Sequence, residues 1–437
     1  MLRIPIQEND PQPDELIGLA QRLFPICRSI TGNGFRQSLS ILQEHLPGLR
    51  IHEVASGTKV FDWTVPDEWN IRDAYVLDPL GQKVIDFKQH NLHLVGYSEP
   101  ISKKLSLQEL QQHLHSLPDK PDAIHYVTSY YKRAWGFCLT QRQRDSLIDG
   151  EYTVFIDADL APGSLTYGDL VIPGAVKDEV FFSTYLCHPS MANNELSGPI
   201  VTTFLAKWLL GLPHRHFTYR IAIVPETIGA LVYLNQNLRT LRKRVKAGYV
   251  VTCVGDTGEF SLIPSRTGAT LADRVSQHVL NQFAPDYVRY SFLQRASDER
   301  QYCSPLVDLP MNSIMRSKYH EYAEYHTSLD NLDFITDASM RESVAMYQQC
   351  VLALEGNCIT RASTIGEPQL GKRGLYPTSG GQVQQSDVSD IVDLLALSDG
   401  QSDLLDIATR MGRPISELVR IAELLRQHQL LTIKTIK

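Results

Sequence analysis

Apolar positions open the chain at helical spacing. Leu16, Leu19, Leu23 and Cys27 form one series and Leu39, Leu42 and Leu46 another, with a polar break at 29–33. This spacing predicts helices within 14–46. From about residue 50 the texture changes to short extended pieces at 51–54, 59–65, 74–77, 83–87, 123–127, 136–139 and 152–156. Trp63 and Trp69 bracket a Pro66-Asp67-Glu68 turn. Runs of this kind predict a small, mostly β domain over 59–164. Beyond residue 168 the apolar runs lengthen. Residues 179–186 (EVFFSTYL), 220–224 (RIAIV) and 248–254 (GYVVTCV) read as strands buried on both faces, with helices at 197–210 and 229–241 between them. Strand–helix alternation implies an α/β core with a mostly parallel sheet and helices on both faces. That core takes 1–58 and 165–362, with the β domain inserted into it.

Residues 363–385 are rich in Gly, Pro, Ser and Gln and predict a linker. Three apolar-periodic segments follow at 387–398, 402–411 and 414–427, then an extended 430–436. Asp399-Gly400 and Gly412-Arg413-Pro414 punctuate them, and Pro414 suits a helix start. Three short helices and a strand predict a winged-helix domain at 386–437.

Composition narrows the class. A chain of 437 residues exceeds one ordinary core, and 43% hydrophobic with 21% charged residues is the balance of a soluble globular protein. A net charge of −7 argues against general nucleic-acid or anionic-membrane binding. From Ser386 onward eight acidic residues outnumber six Lys or Arg, so a protein partner rather than nucleic acid is expected there. No run approaches the roughly 20 apolar residues of a membrane span, and the first residues lack the apolar stretch of a signal peptide. Seven cysteines without CxxC spacing read as free thiols, and a cytoplasmic location is expected.

Three motifs carry candidate chemistry. His188, in CHPSMANNELSG, directly follows a buried strand, where open α/β sheets place ligands. Glu226, in VPETIG, follows the next strand and suits a general base toward water. His326 stands in YHTSLDNLD before a polar turn. Each alone has an ordinary structural explanation. Two of them at strand ends of one sheet make coincidence harder to sustain.

Together the motifs resemble the zinc aminopeptidase family that includes bacterial leucyl aminopeptidases and glutaminyl-cyclase relatives. Closer still is a bacterial branch with an inserted β domain carrying a WTVPDEWN-like stretch (here 63–70) and a C-terminal winged helix. The resemblance implies His188 and His326 as metal ligands and Glu226 as the base. The family's bridging aspartate falls on Asn194, with Glu195 beside it; its glutamate ligand falls on Thr227; its later aspartate ligand falls near Thr252 or Cys253. With those carboxylates missing, one divalent ion, zinc, is expected, held by His188, Glu195 and His326, with Asn194 and Cys253 as further candidates. Asp298 and Arg316 are candidates to hold a substrate ammonium and carboxylate. The implied function is metal-dependent hydrolysis of an N-terminal residue or acyl group from a small peptide or amide. The alternatives are an inactive peptidase-like binding protein or a ligand-sensing regulator.

Overall fold

In the computed structural model, which describes residues 11–375 and 385–435, all seven residues of the strand Glu179–Tyr185 are buried. Burial of successive residues means that both sides of the strand are covered, as its unbroken apolar run requires. It sits inside an eight-stranded sheet ordered Arg50–Ala55, Ser164–Ile172, Thr218–Val224, Glu179–Tyr185, Val245–Val250, Met311–Met315, Ser261–Ile263, Val288–Arg289. The four central strands, from Thr218–Val224 to Met311–Met315, run parallel. Antiparallel pairings flank them: Arg50–Ala55 on Ser164–Ile172, that strand on Thr218–Val224, and Ser261–Ile263 on Met311–Met315. The expected parallel sheet is therefore the centre of a mixed one.

Helices cover this sheet. Ser197–Gly211 packs on Glu179–Tyr185 and lies beneath Glu15–Leu23 and Asn33–His45. Because it has protein on both sides, twelve of its fifteen residues are buried. Ile228–Arg244 packs on Thr218–Val224 and Ser164–Ile172. At the strand starts Glu179, fully buried, is paired with Arg220 at 2.6 Å and Arg244 at 3.3 Å. Its charge is offset by two cations, the condition under which a buried carboxylate is tolerated.

The segment between Arg50–Ala55 and Ser164–Ile172 builds its own four-stranded antiparallel sheet, ordered Lys83–Asp86, Glu68–Leu77, Glu151–Ala161, Ile101–Ser106. None of its strands joins the eight-stranded sheet. The extended piece expected at 74–77 is the end of a ten-residue strand that begins at Glu68, within the expected turn.

The chain divides into two compact units, one of Met1–Ala272 with Val288–Val344 and one of Asp273–Tyr287 with Ala345–Lys437. In the second, helices Gln385–Leu397, Leu404–Met411 and Ile415–Gln427 adjoin a three-stranded sheet ordered Asp399–Asp403, Cys358–Ala362, Leu431–Thr435. Gly412 closes the middle helix at φ 63°, a left-handed turn that glycine enters without penalty. The expected helices are present, but Cys358–Ala362 belongs to this sheet rather than to the core, so the winged-helix fold begins before residue 386. Its two flanking strands arrive more than 35 residues later in sequence, a long-range pairing that local pattern does not reveal. Of the expected linker, 376–384 lies outside the described residues, as do residues 1–10. No helix among the described residues is long and apolar enough to cross a membrane.

Candidate active site

Three segments leave the carboxyl ends of parallel strands and converge. Glu179–Tyr185 runs into Cys187 and His188, Thr218–Val224 into Glu226 and Thr227, and Val245–Val250 into Thr252 and Cys253. Chain leaving this edge of a parallel sheet is where α/β proteins build sites. His326 comes from a loop fastened to the inserted segment: His125 bridges Thr327, and the Tyr126 N–H donates to the His326 carbonyl at 3.0 Å.

The His188 imidazole is held from behind. Its Nδ1 meets Glu195 Oε1, and Glu195 Oε2 accepts the Cys187 N–H at 2.9 Å. Glu195 is fully buried, and its carboxylate fixes the ring so that Nε2 is left free toward the cavity. That Nε2 lies 3.7 Å from Glu226 Oε2. The His326 ring centroid is 5.2 Å from that of His188, and its imidazole makes no hydrogen bond among the described residues. Burial, reinforced by His326 and then Arg28, pushes His188 well below the usual histidine range. Burial, with His320 and His125, takes His326 down to about 3. Both rings are therefore neutral at pH 7, the form that ligates metal.

Glu226 stands on a strained turn. The Ile228 N–H donates to the Glu226 carbonyl at 2.8 Å while Thr227 has φ 62° and ψ −77°. This is a γ-turn of the rare positive-φ kind, placed on a β-branched residue. Asp298 holds it by accepting the Thr227 N–H at 2.7 Å. The Ser297 hydroxyl donates to Glu226 Oε1 at 2.6 Å. Burial raises the Glu226 carboxyl, opposed by Ser297 and then Arg300. Ser190, Cys253 and His326 also have positive φ, so strained backbone clusters around this site.

The Ala192–Leu196 segment forms a single π-helical turn. Asp330 anchors its start by accepting the N–H groups of Ala192, Asn193 and Asn194 at 3.1, 2.6 and 3.0 Å. Burial pushes Asp330 up to about 6 against these bonds. Asn194 Nδ2 donates to the Tyr185 hydroxyl at 3.2 Å, while its Oδ1 is buried with no partner among the described residues.

The structure thus brings His188, Glu195, Glu226 and His326 together, while Asn194 is buried on the Tyr185 hydroxyl and is not among the residues that line the cavity. Cys187, His188 and Glu195 present ligand atoms within 4.8 Å of one another. Cys253 stays in an apolar cluster with Ile263, Met315 and Tyr319, its thiol pushed up to about 12 by burial. The roles expected of Asp298 and Arg316 need correction. Asp298 is fully buried and turned to the Thr227 N–H. Arg316 donates to the Gly258 carbonyl at 2.9 Å, contacts Glu342 and stacks 4.4 Å over Phe260, away from the cavity.

A cavity of ≈ 400 Å3 opens in front of His188, Glu226 and His326. Its walls hold Trp63 and, from the inserted segment and beyond, residues the motifs did not reveal: Tyr126, Tyr130, Tyr131 and Arg300. Tyr126 lies 4.7 Å from the His188 ring and 5.2 Å from that of His326. The WTVPDEWN stretch marked Trp63, but nothing local distinguishes Arg300 from Asp298 two residues earlier.

Fold and site define an aminopeptidase-like α/β protein joined to a winged helix. The chain belongs to the family described as "Domain of unknown function (DUF4910)", which it matches over residues 17–357, while 358–433 match a winged helix-turn-helix family. It is 44% identical, over 98% of each chain, to a Clostridium acetobutylicum protein described as a "Putative polysaccharide biosynthesis protein with aminopeptidase-like domain". A crystal structure described as a "putative peptidase" from Clostridium acetobutylicum superposes with TM-score 0.90 at 43% identity, covering 96% of both chains. BSAP, a zinc aminopeptidase from Bacillus subtilis, shares the fold with TM-score 0.58 at 12% identity, covering 79% of this chain and 95% of that one.

Proposed function

We propose that the protein is a metal-dependent hydrolase that removes an N-terminal residue or acyl group from a small peptide or amide. One observation carries this reading: two neutral imidazoles with free nitrogens and a half-buried carboxylate face one cavity at the strand ends. His188 Nε2 and His326 would hold a single zinc ion, and Asn194 Oδ1, buried without a hydrogen-bond partner among the described residues, is the oxygen this reading offers as a further donor. Glu195 then serves behind His188, fixing its tautomer, in place of the ligand role its spacing suggested. A divalent ion supplies, when bound, polarisation of the scissile carbonyl and of water. Glu226, raised by burial and steadied by Ser297, takes a proton from water and returns it to the leaving amine. The amide C–N bond breaks as a C–O bond forms, giving a carboxylate and an amine. The related protein's description adds a setting in polysaccharide biosynthesis, so amides borne on saccharides belong among the substrates to screen.

The 3.7 Å gap between His188 Nε2 and Glu226 Oε2 favours one variant of this reading, in which Glu226 is itself a ligand. Elemental analysis of wild type and Glu226→Gln, with an aminoacyl-amide and acyl-peptide screen, decides between them. As a base, Glu226→Gln keeps about one ion per chain and loses about 10²–10⁴-fold in rate. As a ligand, the variant loses the ion too. A wild type that holds no ion and cleaves nothing overturns the hydrolase and leaves a binding protein built on the same cavity.

A further inference from the structure

The cavity is not symmetric about Glu226. Among the described residues that line it, Glu226 is the only carboxylate and Arg300 the only Lys or Arg. The Arg300 guanidinium is held by the same two segments that hold Glu226. Its Nε donates to the Ser297 carbonyl at 3.2 Å and its Nη2 to the Thr227 hydroxyl at 3.4 Å. Both acceptors are uncharged, the side chain is exposed to the cavity, and no acidic partner claims it among the described residues. Asp298 is fully buried and is not among the residues that line the cavity; its Oδ1 accepts the Thr227 N–H, and its Oδ2 has no hydrogen-bond partner among the described residues. The cavity also has an aromatic lining, with Trp63 38% and Tyr131 52% exposed and their ring centroids 5.6 Å apart.

We propose that this site takes amides whose acyl side is uncharged and whose amine side carries a carboxylate, that is, N-acyl amino acids, with Arg300 binding that carboxylate. This rests on the hydrolase reading above and narrows it. A planar fork of N–H donors matches the two oxygens of a carboxylate. Arg300 is fixed beside the group that protonates the leaving amine, so the anion it binds belongs to the amine half. Glu226 is the only carboxylate among the lining residues and serves as the base, so an unblocked N-terminus finds no second carboxylate lining the cavity. The uncharged acyl group is left to the aromatic wall. Hydrolysis then balances as N-acyl amino acid plus water giving a carboxylic acid and a free amino acid.

The test uses the full chain with N-benzoylglycine, N-benzoylglycinamide and leucinamide, measuring binding by calorimetry and cleavage by amine release. N-benzoylglycine is expected to bind about tenfold or more tighter than its amide, the range of one charge-assisted fork. Arg300→Gln is expected to erase that difference, and Arg300→Lys to restore part of it. Arg300 is exposed, so these changes leave the core intact, which circular dichroism checks. Equal binding of acid and amide, no binding of either, or a ratio unchanged in Arg300→Gln overturns the proposal. Leucinamide cleaved while N-benzoylglycine neither binds nor reacts overturns it and leaves the hydrolase standing. Arg300-dependent binding of N-benzoylglycine with no cleavage of any compound upholds the anion site and removes the hydrolase.

Discussion

Thr227 shows how strain and function meet at one residue. Its φ of 62° and ψ of −77° on a β-branched side chain cost on the order of 1–3 kcal/mol, held in place by the Ile228 N–H to Glu226 carbonyl bond and by Asp298. Glycine enters this region freely. Thr227→Gly is therefore expected to raise the unfolding midpoint, by up to about 1 kcal/mol of stability after the added chain entropy of glycine, while lowering activity because Glu226 is less firmly aimed. Thermal unfolding and turnover measured together check this; a variant both less stable and fully active would show that the turn is not strained. Glu195 gives a second residue-level test. Its buried oxygens hold the Cys187 N–H and His188 Nδ1, so Glu195→Ala should loosen the ring and lower ion affinity about 10–100-fold by titration with a chelator.

Among elements, one carboxylate links three. Glu68 opens a strand of the inserted sheet, accepts Arg36 from the helix Asn33–His45 at 2.8 and 2.6 Å, and accepts the Ser164 N–H, at the start of a flanking strand of the eight-stranded sheet, at 2.9 Å. The Arg36 hydrogen bonds hold its carboxyl down at about 2. A depressed carboxyl contributes stability above its ordinary value of 4.5 and loses it as pH falls from there toward 2. Glu68→Gln should cost about 1–3 kcal/mol at pH 7 and flatten the loss of stability between those values. Denaturant melts at several pH values read both effects, and an unchanged acid slope would remove Glu68 from the account. Element identity was legible where burial was uniform, as in EVFFSTYL. It was not legible in Met311–Met315, where Asn312 and Ser313 are fully buried, or in the helix Asp337–Gly356, where Ser339, Ser343 and Gln348 are buried. Polar residues buried by tertiary partners erase the periodicity that marks an element.

At the scale of the whole molecule, every residue assigned to the site lies in the first compact unit. Deleting 358–437 is expected to leave ion content unchanged in whatever fraction remains folded. Deleting only 386–437 leaves Cys358–Ala362 without either strand partner, and greater aggregation is expected from that unpaired edge. Ion loss from a folded truncation would mean that the C-terminal module completes the site. That module pairs Arg413 with Asp390 and Arg426 with Glu423, so two of its few cations are already neutralised. Duplex DNA binding is expected to be weaker than micromolar at 150 mM salt, and salt-sensitive sub-micromolar binding in an anisotropy titration would revive a regulator.

By itself the sequence determined the α/β core, the inserted β segment, the winged helix and the positions of His188, Glu226 and His326. Each of these is written in local pattern: unbroken apolar runs, their alternation with helices, and polar motifs, two of them directly after strands. Only the tertiary structure decided what those residues face. Glu195 lies seven residues from His188, yet the π-helical turn sets it behind the ring rather than in the cavity. Asp298 and Arg300 are two residues apart, yet one is buried under Thr227 and the other lines the cavity. Side-chain direction depends on partners brought from 70 to 140 residues away, as Asp330 is to Ala192 and Asp298 to Thr227. Such pairings are set by packing of the whole core, and they leave no periodic trace in the chain.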